Sequence, residues 1–402
     1  MRYLKPLIER LAGLKKKMVF ISGPRQVGKT TLAKSFLTKE SSYFNWDIEE
    51  DRNIILKEPG RFWQRGGQAP SRVVLDEIHK YPRWKRFLKG FYDDVGKKLE
   101  ILVTGSGRLD IYQKGGDSLL GRYGLAHLHP FSVGEFIRSD RLSVYPPEEA
   151  ISRIIASPSS SENREAYHLI KRFSGFPEPL FSANEQDWIL WRRRHRDFVI
   201  REDLRDLTRI REIGLIDQLT SLLPERIGSP LSINALREDL SVSFGAVKGW
   251  LSALERLYFL FEIRPYAGRL ARTLRREGKN YLFEGTLIED AGARFENLMA
   301  LHLKKACDAW SDWGFGDFDL HYIRDKEKRE VDFLVTDGRK PYLMVECKAG
   351  DNTPSSHLAY FSERLKPKHF FQVIESFPRQ LVQDSSTGVT LCAADRFLAH
   401  LP

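Results

Sequence analysis

Residues 18–31 read Met18-Val-Phe-Ile-Ser-Gly23-Pro24-Arg25-Gln26-Val27-Gly28-Lys29-Thr30-Thr31. The apolar run Val19-Phe20-Ile21 predicts a buried strand, and the segment from Lys29 onward predicts a helix. Between them lies G-x-x-x-x-G-K-[ST], a loop whose two glycines let the backbone curl so that successive N–H groups face a phosphate. The positive end of the following helix adds to that field. Lys29 supplies a mobile point charge for the terminal phosphates of a bound triphosphate, and the Thr30 hydroxyl is a hard oxygen donor suited to Mg²⁺. Gly23 through Thr31 are therefore the expected nucleotide-binding residues.

A triphosphate site that hydrolyses its ligand needs a second element, which supports the metal and polarises a water. Arg72-Val-Val-Leu-Asp76-Glu77 fits: a buried strand ending in two acids, with Asp76 expected at the metal and Glu77 at the water. A third apolar run, Ile101-Leu-Val-Thr104, ends at Gly105-Ser106, and Ser106 is a candidate polar contact to the last phosphate. Short β-rich runs alternating with helical segments predict a parallel sheet with crossover helices, and each run carries its polar residues at its carboxyl end.

The chain has 402 residues, with 42% hydrophobic and 29% charged side chains, which predicts two or three folded, soluble domains. Three scattered cysteines form no disulfide framework or zinc cluster, so a reducing, cytoplasmic setting is expected. No run approaches membrane-spanning length, and residues 1–17 predict an amphipathic helix without a signal-peptide core. The net charge of +10 raises the expectation of a polyanionic partner such as DNA. By region, 26 basic and 16 acidic residues lie in 1–140, 23 and 19 in 141–280, and 15 and 19 in 281–402. The excess thus accompanies the triphosphate site, while the C-terminal part is acidic.

Residues 138–163 contain Pro-Pro and a Ser-Pro-Ser-Ser-Ser tract and predict a loop or linker. Beyond it the text is helical. Ser232 caps INALREDL, SVSFG turns, AVKGWLSALERL follows, and FLFEIRPY is β-rich, the outline of a winged helix. Only Lys248 and Arg256 are basic on its second helix, so packing within a larger protein and DNA reading both suit it. Arg264, Arg269, Arg272, Arg275, Arg276 and Lys279 follow as a basic run able to contact phosphates or to remain a solvated loop. The eight arginines of 192–211 interleave with acids and predict a salt-bridged helix surface.

GPRQVGKTTL, VVLDEIHKYPRW, ILVTGS, SLLGRYGLAHLHPFSVGEF and FSGFPEP occur in this order and resemble an archaeal and bacterial family of AAA-type P-loop ATPases with a C-terminal domain of unknown function. The resemblance implies ATP and Mg²⁺ as ligands. It also implies a role for Arg122 of LLGRYG, which stands where such proteins often place an arginine that completes a neighbouring copy's site, and with it a homo-oligomer or another protein partner. Packing of Arg122 against its own domain is the other reading. Glu284 departs from the family pattern, in which an Asp is usual in the run around NYLFEG.

The C-terminal part resembles the PD-(D/E)XK nuclease core through Glu296 on a helix, Asp332 in EVDFLV and Glu346-Cys-Lys348 closing YLMVECK. Alternation puts Glu346 and Lys348 on one strand face, and a hairpin turning at Asp337-Gly338 brings Asp332 beside them. Asp332 and Glu346 would then hold a metal and Lys348 would assist a water. The expected architecture is an α/β parallel sheet of the P-loop NTPase, AAA type over 1–140, a helical and winged-helix domain over 164–280, and an α/β nuclease-like domain over 281–402. Two outputs remain open: an ATPase that binds or cleaves DNA, and a nucleotide-dependent switch whose nuclease-like fold is inactive.

Overall fold

The computed structural model describes residues 2–38, 42–65, 67, 70–105, 119–138, 144–204, 212–266 and 277–402, apart from the side chains of residues 202 and 203. The chain divides into two compact units, Met1–His129 with Arg256–Tyr258, and Pro130–Glu255 with Phe259–Pro402.

In the first unit five strands, β1 Met18–Ser22, β2 Tyr43–Asn45, β3 Arg72–Asp76, β4 Glu100–Thr104 and β5 Tyr123–His127, form an all-parallel sheet in the order β2-β3-β4-β1-β5. Every residue of β1 is buried, as in the near-continuous apolar strands of parallel sheets covered on both faces. Phe20, Val73, Leu75 and Val103 pack with Trp84, Leu88 and Phe91 of the helix Trp84–Val95. Because all strands run one way, Gly23, Asp76-Glu77 and Thr104-Gly105 meet at a single edge, beside the point where the strand order reverses between β4 and β1. The N-terminal segment is the helix Lys5–Glu9, running on into wider π-helical turns over Arg10–Leu14, with Leu4, Leu7 and Ile8 buried.

The second unit carries an eight-stranded mixed sheet. Its strands are β6 Leu260–Pro265, β7 Lys279–Leu282, β8 Phe318–Arg324, β9 Glu330–Asp337, β10 Lys340–Lys348, β11 His369–Ile374, β12 Leu381–Gln383 and β13 Thr390–Ala393, in the order β12-β13-β11-β10-β9-β8-β6-β7. The helix–turn–helix–strand segment contributes the helices Ile233–Asp239 and Phe244–Arg256 and the hairpin β6–β7. That hairpin lies in the same sheet as the later strands, since β6 pairs in parallel with β8. From 291 onward the element order is the 23-residue helix Ala291–Trp313, the meander β8–β9–β10, the helix Ser356–Leu365 and β11.

Over its described residues from 144 on, the stretch 138–163 is not the loop its composition suggests. Pro147–Ala156 is a helix, because Pro147 occupies the first turn, where its missing N–H has no intrahelical partner to lose. The serine tract is a tight joint whose Ser160 caps the helix Ser161–Phe173. The arginine-rich helix Glu185–Asp197 shows both paired and packed side chains: Arg196 binds Asp217 at 2.8 Å, while Arg192 stacks on Trp188. Residues 205–211 lie outside the described residues.

Candidate nucleotide site and candidate nuclease-like site

The loop after β1 is shaped by close approach. A Cβ on Gly23 would stand 2.1 Å from the Leu128 carbonyl oxygen, so any side chain there collides with main chain. Gly28, at φ 96°, turns the chain into the helix Lys29–Lys34 in a left-handed conformation that glycine adopts without strain. Val27 is buried, and Arg2 donates to its carbonyl at 2.8 Å, which ties the N-terminus to the loop. Pro24 is buried, Arg25 and Gln26 are partly exposed, and Thr31 faces solvent. Lys29 is buried and its Nζ donates to the carbonyls of Gly23 at 2.9 Å and Pro24 at 2.6 Å.

Asp76 is the hub of this edge. Its Oδ2 accepts from Thr30 Oγ1 at 2.8 Å and from the Tyr43 hydroxyl at 2.7 Å, and its Oδ1 accepts from Thr104 Oγ1. Three strand ends and the loop helix thus meet on one carboxylate. Burial, then the hydrogen bond to Asp76, pushes the Tyr43 phenol far up, so it stays a donor. A hydroxyl and a carboxylate already in contact are the hard oxygen donors Mg²⁺ takes, an ion that keeps several of its waters and needs one or two protein oxygens. Thr30 and Asp76 fit it.

Glu77 follows at φ 56°, a left-handed conformation uncommon for a side-chain-bearing residue. Its N–H donates to the Thr104 carbonyl at 3.0 Å. Burial raises its carboxyl above the ordinary range, and the nearby Lys29 charge opposes that rise. His79 Nδ1 stands 3.6 Å from Glu77 Oε2. Burial, then the charges of Lys80 and Lys29, lowers the imidazole to about 4, so it is neutral near pH 7. Ser106 lies outside the described residues. Arg122 precedes β5, at the sheet edge opposite the loop, and forms a two-pronged pair with Asp93 at 2.7 and 3.1 Å. The five residues of β5 separate it from the loop edge of its own unit by roughly 15 Å.

In the second unit Glu296, Asp332, Glu346 and Lys348 gather around one point. Asp332 Oδ2 accepts from the Cys347 N–H at 2.8 Å, which seats it between Glu346 and Lys348, and Lys348 Nζ pairs with Glu346 Oε1 at 2.9 Å. Three unexpected residues complete the cluster. Lys279 Nζ lies 2.6 Å from Glu330 Oε1, 3.3 Å from Glu296 Oε1 and 3.8 Å from Asp332 Oδ1, and the Tyr281 hydroxyl donates to Glu296 Oε1 at 2.7 Å. Lys279 is therefore not part of a phosphate-contacting basic run: its side chain is 1% exposed. Of that run, Arg264 is exposed and paired with Glu262, and Arg269, Arg272, Arg275 and Arg276 lie outside the described residues.

In this arrangement the carboxylates are engaged with the chain's own cations, Lys279 and Lys348, where a bound divalent metal would need them. Among the described residues no group of three or more His, Cys, Asp or Glu is placed to hold an ion. The oxygens of Glu296, Glu330 and Asp332 nearest the centre face an ammonium. Glu346 Oε2, buried without a hydrogen-bond partner, is a single donor.

Burial, then the Asp332 charge, pushes Glu296 and Glu346 each up to about 7 from 4.5, and burial raises Asp332 as well. For Lys279 burial acts downward, but Glu296, Asp332 and Glu330 together hold it above the usual lysine value. With raised carboxyl values the folded protein binds protons more tightly than the unfolded chain. Stability is then expected to fall as pH rises through about 4.5 to 7. In urea unfolding at pH 5 and pH 7, Glu346→Gln should show a shallower loss than the parent; identical losses would mean that Glu346 titrates as an ordinary carboxylate.

Glu284, the departure from the family pattern, is buried and structural in its contacts. It accepts from Ser174 Oγ at 2.6 Å and from the Thr286 N–H at 3.0 Å, joining the end of the helix Ser161–Phe173 to the turn Gly285–Leu287.

Of the residues the motifs did not single out, Glu330 had a signal, since it lies two before Asp332 on the same strand face. Thr104 had one too, as the polar end of an apolar strand. Tyr43 and Lys279 had none, because their partners lie in distant elements, whereas His79 stands two residues from Glu77 and could have been found beside it.

Residues 15–137 match a family described as an AAA domain. Residues 164–289 and 291–388 match two families described as domains of unknown function, DUF8612 and DUF4143. The chain is 20% identical over 334 residues to the uncharacterized protein Rv2008c of Mycobacterium tuberculosis, across 81% of this chain and 69% of that one. It is 21% identical over 393 residues to the uncharacterized protein MJ1637 of Methanocaldococcus jannaschii, across 88% and 79%. Among solved structures, a RuvB variant of Thermotoga maritima aligns with a TM-score of 0.32 at 18% identity, over 69% of this chain and 89% of that one. The Hsp104–ADP complex of S. cerevisiae aligns with a TM-score of 0.30 at 15% identity, over 63% and 37%. The family match together with the parallel sheet makes the N-terminal part an AAA-type P-loop ATPase domain. No described helix is long and apolar enough to cross a membrane.

Proposed function

We propose that the chain is a Mg²⁺-dependent ATPase whose N-terminal domain binds and hydrolyses ATP, and that its nuclease-like domain serves as a binding module and not as a nuclease. The observation that supports the first part most is the convergence of Thr30, Tyr43 and Thr104 on Asp76, with Lys29 and Glu77 adjoining it.

The loop N–H groups would receive the β-phosphate, and the Lys29 ammonium would leave the Gly23 and Pro24 carbonyls for the terminal phosphate. Mg²⁺, when bound by Thr30 and Asp76, neutralises phosphate charge. Asp76 exchanges the Thr30 hydroxyl for that role while Tyr43 and Thr104 keep its carboxylate oriented. Glu77 orients a water toward the terminal phosphorus and accepts its proton. Neutral His79 adds no positive charge beside Glu77 that would weaken it as a base. Arg122, on the far edge from its own loop and paired with Asp93, would serve a second copy's nucleotide rather than its own, and this is the homo-oligomeric reading.

The reading of the C-terminal domain rests on the internally paired carboxylates. Phosphate release measured with Mg²⁺, with EDTA, and with and without DNA tests the ATPase. Incubation of plasmid, linear and branched DNA with Mg²⁺ or Mn²⁺ tests the remainder. The expected result is Mg²⁺-dependent release without cleavage. Cleavage that disappears in Lys348→Ala would establish the nuclease instead, and release unaffected by EDTA would remove the proposed metal role. Stimulation by DNA would identify it as a partner.

A further inference from the structure

We infer that Lys279 is a built-in counter-cation of the nuclease-like carboxylate cluster: its buried ammonium stands among Glu296, Glu330 and Asp332 and keeps divalent ions from binding there. The inference rests on the reading of that cluster as nuclease-like and is independent of the ATPase.

Three observations converge on it. The ammonium lies within 4 Å of three carboxylates from two elements: Glu330 and Asp332 on one face of β9, and Glu296 on the helix Ala291–Trp313. A lone ammonium buried to 1% exposure costs several kcal/mol unless it is paired on several sides, and here it is. Conversely, three acids so close together repel unless a cation sits between them.

The ammonium itself is also enclosed, while the carboxylates around it stay partly exposed. Tyr281 and Tyr322 are fully buried, and the ammonium lies 5.6 Å from the centre of the Tyr322 ring. A Cβ on Gly228 would come within 2.8 Å of Glu296 Oε2, so main chain closes that side. Arg324 takes the second oxygen of Glu330 at 3.1 Å. Finally, Lys279 is held in place by its own backbone: it opens β7, pairs with Ile263 of β6 and bridges to Pro230. The side chain is delivered to the cluster by the sheet.

The test uses the full-length chain, free of nucleotide, and Mn²⁺ alone as the probe, with bound ion counted by electron paramagnetic resonance. Comparison among variants removes any contribution from the ATPase domain. The parent should show no Mn²⁺ site that depends on Asp332, so the parent and Asp332→Asn should titrate alike. Lys279→Met should gain one site, with affinity raised about tenfold or more over the parent, and Lys279→Met combined with Asp332→Asn should lose it again. An Asp332-dependent Mn²⁺ site in the parent overturns the inference. So does a folded Lys279→Met that gains nothing. If Lys279→Met fails to fold, the comparison of the parent with Asp332→Asn and Glu346→Gln still decides. Failure of the inference would leave the ATPase measurements untouched, and failure of the ATPase would leave this titration unchanged.

Discussion

Glu77→Gln is expected to slow phosphate release by about 10²- to 10⁴-fold while ATP binding persists. The substitution keeps volume and shape at a position whose main chain is already in a left-handed turn, hydrogen-bonded to Thr104, so the local geometry has no reason to change. What disappears is the only negative charge that Glu77 brings beside the expected water, and with it the acceptor for the water's proton. Lys29→Ala should behave differently. It removes the mobile cation that the loop holds through Gly23 and Pro24, so affinity for ATP should fall together with turnover, each by roughly 10²-fold. Binding followed with a fluorescent ATP analogue and release followed as inorganic phosphate separate the two variants. Turnover at the parent rate in both would remove the site from this loop.

The second large effect concerns stability. Lys305→Met is expected to destabilise the second unit by about 3–5 kcal/mol, read as a shift of the urea midpoint at unchanged slope. Lys305 and Glu135 form an ion pair at 2.5 Å with side chains 2% and 3% exposed. The same ammonium donates to the Pro130 carbonyl at 3.1 Å and to Ser132 Oγ at 3.0 Å. Ser132 in turn caps the helix Val133–Ile137 and donates to the carbonyl of Pro402. Removing the lysine leaves a buried carboxylate and a partly served cap. Met retains the length of the side chain, which isolates the loss of charge from the loss of packing. If the midpoint moved by less than the equivalent of about 1 kcal/mol, the pair would contribute no more than a surface salt bridge. This network also explains the sequence HPFSVGEF, whose Ser and Glu serve a buried lysine 170 residues later in the chain.

The two sites differ in how much of them can be read along the chain. Gly23 through Thr31 form one contiguous stretch of loop and helix start, and each residue's role follows from backbone conformation and charge within that stretch. Asp76 and Glu77 were legible because a buried apolar strand ending in two acids is chemically unusual. Asp332, Glu346 and Lys348 were singled out by the resemblance to a nuclease core, and strand alternation with a hairpin turn explained how they could meet. Lys279 was misplaced for a physical reason: in sequence it closes a basic run, and nothing in that run encodes that the side chain of a strand's first residue turns inward. Within the loop expected over 138–163, Pro147–Ala156 is helical for a related reason, since proline disrupts a helix only beyond its first turn.

By itself the sequence determined the parallel α/β sheet, the phosphate loop at its carboxyl edge and the pair of acids on the third strand, because these depend on local periodicity and contiguous residues. Only the tertiary structure decided that Tyr43 and Thr104 hold Asp76, that Arg122 faces away from its own loop, and that an ammonium from β7 stands among the carboxylates of β9 and the long helix. Those are contacts between elements far apart in the chain, and a side chain's type states its chemistry without stating which partner the fold brings within reach.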